Sequence, residues 1–83
     1  MNTFVLLTAR DCHLCAHGRA VLDDLAAEGL LEWREVAVDS AEGRKLAATA
    51  PPLRPVLYDR HELAVAYGRL SAKRLRRSLT VAA

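Results

Sequence analysis

Cys12 and Cys15 are the only cysteines in the chain, and they stand where a short apolar run gives way to a helical pattern. Phe4-Val5-Leu6-Leu7 is continuously apolar and fits a buried central strand. From residue 12 to 28, Leu14, Val21, Leu22, Leu25 and Ala26 recur at helical spacing, while Arg19, Asp23, Asp24 and Glu28 fall elsewhere. A Cys-x-x-Cys at such a junction puts the first sulfur at a helix N-terminus. Unpaired backbone N–H groups and the positive end of the helix dipole favour an anion there. The thiolate is an anion and is the reactive form of cysteine. The second sulfur follows about one turn later, on the same side and within disulfide reach.

The bulk numbers narrow the setting. Eighty-three residues make one small domain, spanning 1–83. A chain of this size buries roughly 60–65% of its unfolded surface, enough for one core. An apolar content of 52% and a charged content of 27% are ordinary for a globular protein. A net charge of +2 is too small to imply nucleic acid. The basic stretch Lys73 to Arg77 has no interleaved aromatic residue, so it reads as the wet face of a helix rather than a base-stacking surface. Met1 to Leu7 has no basic segment, and its apolar run is four residues, too short for a signal peptide or a membrane span. The expectation is a cytoplasmic protein with no membrane partner, and a monomer by default. In a reducing compartment, this cysteine spacing points to catalysis or metal rather than to a structural disulfide.

The remaining chain reads as alternating elements. Gly29 stops the first helix, and Gly18 inside it calls for a close helix–sheet contact. Leu31 to Val38 is a second strand carrying Trp33, Val36 and Val38. Asp39-Ser40-Ala41-Glu42 resembles a capping box opening a short helix to about Ala48, weakened by Gly43 and ended by Pro51-Pro52. Pro55 to Tyr58 and Glu62 to Ala66 form a hairpin around Asp59-Arg60-His61. Gly68 breaks the pattern, and Ser71 caps a last helix to about Leu79, with Leu75 and Leu79 inward. The order is β-α-β-α-β-β-α. Strands separated by helices are expected to pair in parallel, with the last hairpin adding an antiparallel edge.

That order, with Cys-x-x-Cys after the first strand and a proline opening the third, resembles the thioredoxin fold, an α/β three-layer sandwich with a mixed four-stranded sheet. At this length the chain resembles a glutaredoxin. Arg10-Asp11-Cys12-His13-Leu14-Cys15 is similar to the motif of a glutaredoxin-like family of short bacterial proteins carrying Cys-His-Leu-Cys. The resemblance implies a thiol–disulfide oxidoreductase without a bound cofactor or metal. Cys12 would be the nucleophile and Cys15 the resolving thiol. Pro55 would be the cis-proline opposite the nucleophile, and the backbone of Arg54 would pair with an extended substrate. Arg10, His13, Leu14, Arg54 and Pro55 would line the substrate site. Read from the residues themselves, His13 either stabilises the Cys12 thiolate when charged or points into solvent, and Arg10 and Arg54 either attract an anionic substrate or are solvated surface charges. The partners implied are a disulfide-containing protein or a glutathione mixed disulfide, with glutathione as the reductant.

Two other readings stand beside this one. The same thiols could carry a metal or an iron–sulfur cluster held between two copies of the chain, with glutathione completing the ligands. A structural zinc site wants four ligands, usually as two pairs, and the chain has one pair, since His13, His17 and His61 are not spaced as a second. Ala16 stands where a c-type haem motif needs histidine. Alternatively, the chain is a redox-inert binding module. Tyr67-Gly68-Arg69-Leu70-Ser71 has no acidic residue to grip the amino-acid end of glutathione, which is what motivates this third reading.

Overall fold

Alternate residues of the first strand feed two separate apolar clusters, and that alternation sets the layering. The computed structural model describes residues 2–50 and 53–81. Its elements are β1 (Thr3–Thr8), α1 (His13–Ala27), β2 (Glu32–Ala37), α2 (Ala41–Ala47), β3 (Val56–Tyr58), β4 (Ala64–Tyr67) and α3 (Ala72–Val81). Leu6 packs with Val21, Leu22, Leu25, Leu31, Leu57 and Leu70, with Leu75 and Leu79 of α3 against them. Leu7 packs on the other face with Val36, Leu46, Val56 and Tyr58. Successive strand side chains point to opposite faces, so neighbours in β1 serve different cores. Helices α1 and α3 cover one face and α2 the other. The molecule is a three-layer α/β sandwich of thioredoxin-like topology.

The four strands lie in the order β2-β1-β3-β4. β1 and β2 are parallel, with Thr3 opposite Glu32 and Thr8 opposite Ala37. β3 is antiparallel to both β1 and β4. The sequence expectation of parallel pairing across every helix therefore fails for β1 and β3. The chain leaves β2 at the carboxyl end of β1, and β3 enters at that same end, with Val56 opposite Leu7, and runs back to place Tyr58 opposite Val5.

Boundaries follow local chemistry. Ser40 caps α2, its hydroxyl accepting from the Gly43 N–H at 2.9 Å. The third helical position is thus Gly43 rather than a glutamate, so the cap is a single bond and not a reciprocal box. Glu42 instead pairs with Arg34. Gly43 is required by close approach: a Cβ there would land in the Ala37 carbonyl and 2.9 Å from the Val38 Cα. Strand β4 starts two residues later than the pattern suggested. The Asp59 side chain accepts from the N–H groups of His61 (2.8 Å) and Leu63 (3.1 Å), and Glu62 takes φ +61°, which lengthens the turn. Ser71 caps α3, accepting from the Arg74 N–H at 3.2 Å. Pro51-Pro52, expected to end α2, lie outside the described residues.

Candidate functional site

Ligands in open α/β sheets sit beyond the carboxyl ends of the parallel strands, where the connections diverge. Here β1 leads through α1 to β2 on one side, while β3 begins on the other. Cys12 occupies that divergence. It is the N-cap of α1, with extended backbone (φ −115°, ψ 106°), and its sulfur accepts the Cys15 N–H at 3.1 Å. One orphan donor of the helix end therefore points at sulfur, and the helix dipole favours negative charge at that atom. Asp11, just before it, takes φ +51°, the left-handed turn that swings the chain from strand to helix.

Cys12 and Cys15 are joined by a disulfide, their Cα atoms 5.1 Å apart, within the ordinary range for such a bond. The two sulfurs differ in access. Cys12 is half-buried and Cys15 is 0% exposed. An attacking group reaches the first and not the second. This pair supports redox thiol chemistry.

The opposite wall comes from the segment before β3. The Arg54 carbonyl oxygen lies 4.0 Å from the Cys12 sulfur. The Arg54–Pro55 peptide is cis. Pro55 is buried, and its carbonyl accepts the Gly68 N–H at 2.8 Å, tying the wall to the end of β4. Gly18 of α1 packs directly behind: a Cβ there would meet Leu70 Cδ1 at 3.3 Å and Pro55 Cγ at 3.4 Å. The close contact that the helix-interior glycine called for is therefore between α1, the Pro55 loop and Leu70.

The other expected site residues are distributed unevenly. His13 and Leu14 are exposed beside the disulfide, and Leu53 is a second exposed apolar residue, next to Arg54. The Arg54 guanidinium donates to the Leu53 carbonyl at 2.9 Å. Arg10 is exposed and reaches Asp39 at 3.5 Å, so an acidic partner offsets its charge. His17 is half-buried with Nε2 3.2 Å from the Leu70 carbonyl oxygen, and His61 is exposed. Trp33 packs against the α1-side core, away from the thiols.

A polar cluster near Cys12 escaped the sequence reading. Thr8, 3% exposed at the end of β1, donates its hydroxyl to Glu35 at 2.7 Å. The Arg19 guanidinium donates to both Glu35 oxygens, at 2.9–3.1 Å. The Arg19 guanidinium first, then the Thr8 hydroxyl, holds the Glu35 carboxyl below the ordinary glutamate range. Glu35 shares the α1-facing side of the sheet with Leu6, opposite which it stands in register. Cys12, Thr8, Arg10, Arg19, Glu35 and Asp39 line one open cleft of about 520 Å³ beyond the ends of β1 and β2. Arg19 follows Cys12 by seven residues, two turns, which was a usable signal. Glu35 had none, because its place depends on the β1–β2 register.

Among the described residues, no group of three or more His, Cys, Asp and Glu side chains is arranged to hold a metal ion, and no helix is long and apolar enough to cross a membrane. No protein-family model matches the chain, and no curated protein matches it.

Proposed function

We propose that this chain is a glutaredoxin-like thiol–disulfide oxidoreductase, with Cys12 as nucleophile and Cys15 as resolving thiol. The observation that carries the reading is the asymmetry of the disulfide: a reachable sulfur capping a helix, bonded to a buried one three residues on. In the reduced protein the Cys12 thiolate attacks one sulfur of a substrate disulfide. A mixed disulfide forms, and the other substrate sulfur leaves as a thiolate and takes a proton. Cys15 then loses its proton and attacks the Cys12 sulfur. The Cys12–Cys15 disulfide closes and the second substrate thiolate leaves. Two electrons pass from the dithiol to the substrate. A second thiol, with glutathione the leading candidate, reverses these steps to restore the dithiol.

Several features support this chemistry. Burial keeps Cys15 from competing for substrate, and its fixed position makes resolution intramolecular. The Arg54 carbonyl beside the Cys12 sulfur offers an acceptor to the backbone of an extended substrate. Exposed Leu14 and Leu53 give that substrate apolar contact, so a protein disulfide in an extended segment is the substrate class we favour.

Paired variants test the assignment. Cys15→Ser should accumulate mixed disulfides with a model disulfide substrate, and Cys12→Ser should abolish exchange. An active Cys12→Ser protein with an inert Cys15→Ser protein would reverse the roles. Colour or stoichiometric metal in protein purified without oxygen would replace exchange with the carrier reading.

A further inference from the structure

The cleft beside the disulfide contains an ion pair for which the exchange steps have no use. We infer that Arg19 and Glu35 form a compensated pair beside Cys12, in which Arg19 favours the thiolate and Glu35 cancels that stabilisation. This rests on Cys12 being the exchanging thiol.

The geometry carries it in three parts. First, Arg19 is two turns along α1 from Cys12, about 10 Å along the axis, and both side chains line the same cleft. Second, the pair is anchored. The guanidinium holds the carboxylate with both Nε and Nη2, and the buried Thr8 hydroxyl fixes the same carboxylate to the end of β1. Third, the pair is exposed to 41% and 37% of its two side chains, less than its neighbour in the cleft. The nearby Arg10–Asp39 pair is longer, and its side chains are 89% and 56% exposed, so solvent damps it far more. Among the described residues, the other charged or titratable groups beside the sulfur are Asp11 and His13 on its own segment and Arg54 from across the site. All of these stay in place when only Arg19 or Glu35 is changed.

An electrostatic role makes a prediction about sign. Glu35→Gln keeps an acceptor for Arg19 and a polar partner for Thr8 while removing one negative charge. Arg19 is then uncompensated, and the Cys12 thiolate gains. Arg19→Gln leaves the carboxylate uncompensated, and the thiolate loses. At this separation each change should move the Cys12 alkylation midpoint by about half a pH unit, or ~3-fold in thiolate population. The double variant should return to the wild-type midpoint.

The experiment follows the pH dependence of iodoacetamide alkylation in a Cys15→Ser background, so that one thiol is read. The expected result is a lower midpoint for Glu35→Gln, a higher one for Arg19→Gln, and restoration in the double variant. High salt should shrink both shifts, because the screening length falls to about 3 Å at 1 M. In the intact dithiol, Glu35→Gln should be reduced more easily in a glutathione buffer and Arg19→Gln less easily. Shifts of the same sign in both single variants, or midpoints unchanged from wild type, overturn the inference. A wild-type protein with no reversible disulfide overturns the exchange reading itself, which keeps the two failures apart. Thermal melts of each variant confirm that folded protein is compared.

Discussion

The backbone N–H of Cys15 points at the sulfur of Cys12 from 3.1 Å, so the residue that caps α1 is also the reachable half of the disulfide. Stability and reactivity are thereby coupled at one atom, and substitutions can separate them. In the reduced state, Cys12→Ser should keep a cap, because serine is a favoured N-cap residue. Cys12→Ala should be less stable than Cys12→Ser by about 1 kcal/mol. Urea unfolding under reducing conditions checks this. Equal stability of the two variants would mean that a side-chain cap at position 12 contributes nothing to α1.

Asp11 adopts φ +51° immediately before that cap. Asparagine and aspartate tolerate this region better than other non-glycine residues, and a β-branched residue fits it poorly. Asp11→Gly should unfold within about 0.5 kcal/mol of wild type. Asp11→Val should cost about 1–2 kcal/mol and slow exchange, because the turn aims Cys12. A thermal melt paired with a disulfide-reduction assay reads both effects.

Gly43 offers a test in which helix propensity and packing disagree. Propensity alone favours Gly43→Ala by about 1 kcal/mol. The new Cβ, however, would collide with the backbone at Ala37 and Val38, and backbone does not yield as a flexible side chain does. Gly43→Ala should therefore destabilise the protein by about 1–3 kcal/mol, the usual range for overpacking. A more stable variant in denaturant titration would mean that α2 can lift off β2 at little cost.

Much of this architecture was legible from residues alone, and the exceptions have physical causes. The apolar run at Phe4–Leu7, the α1 periodicity and the Ser71 cap are local signals, and each element appears where its signal lies. Cys12 and Cys15 were legible because their meaning depends on a junction in the chain. The reversal of β3 was not, since the end of β1 to which the chain returns is set by tertiary packing that no local pattern encodes. The late start of β4 depends on one Asp59 oxygen taking two N–H groups, a turn that composition does not announce. Glu35 reaches the site only because it stands opposite Leu6 in register, which no local pattern encodes.

Acid should weaken the fold partly through Glu35. Its carboxyl is held below the ordinary glutamate range by Arg19 first and Thr8 second. A group with a depressed folded-state pKa contributes stability above its unfolded value, near 4.3 for glutamate. That contribution is lost as pH falls through the folded value. The side chain is 37% exposed, so solvent screening keeps the contribution small. Glu35→Gln should lower the melting temperature slightly at neutral pH and flatten its fall below about pH 4.5, so that variant and wild type converge in acid. An unaltered acid limb would show that other carboxylates, such as Asp59 and Glu28, account for it.

The most direct test of the exchange chemistry is intact-mass analysis of the purified protein equilibrated across a graded series of glutathione redox buffers. The account predicts a reversible loss of two hydrogens as Cys12 and Cys15 join, with a midpoint near the glutaredoxin range of about −200 to −230 mV. A mass that stays at the dithiol value throughout the series, or thiols that remain masked by bound metal, would contradict it.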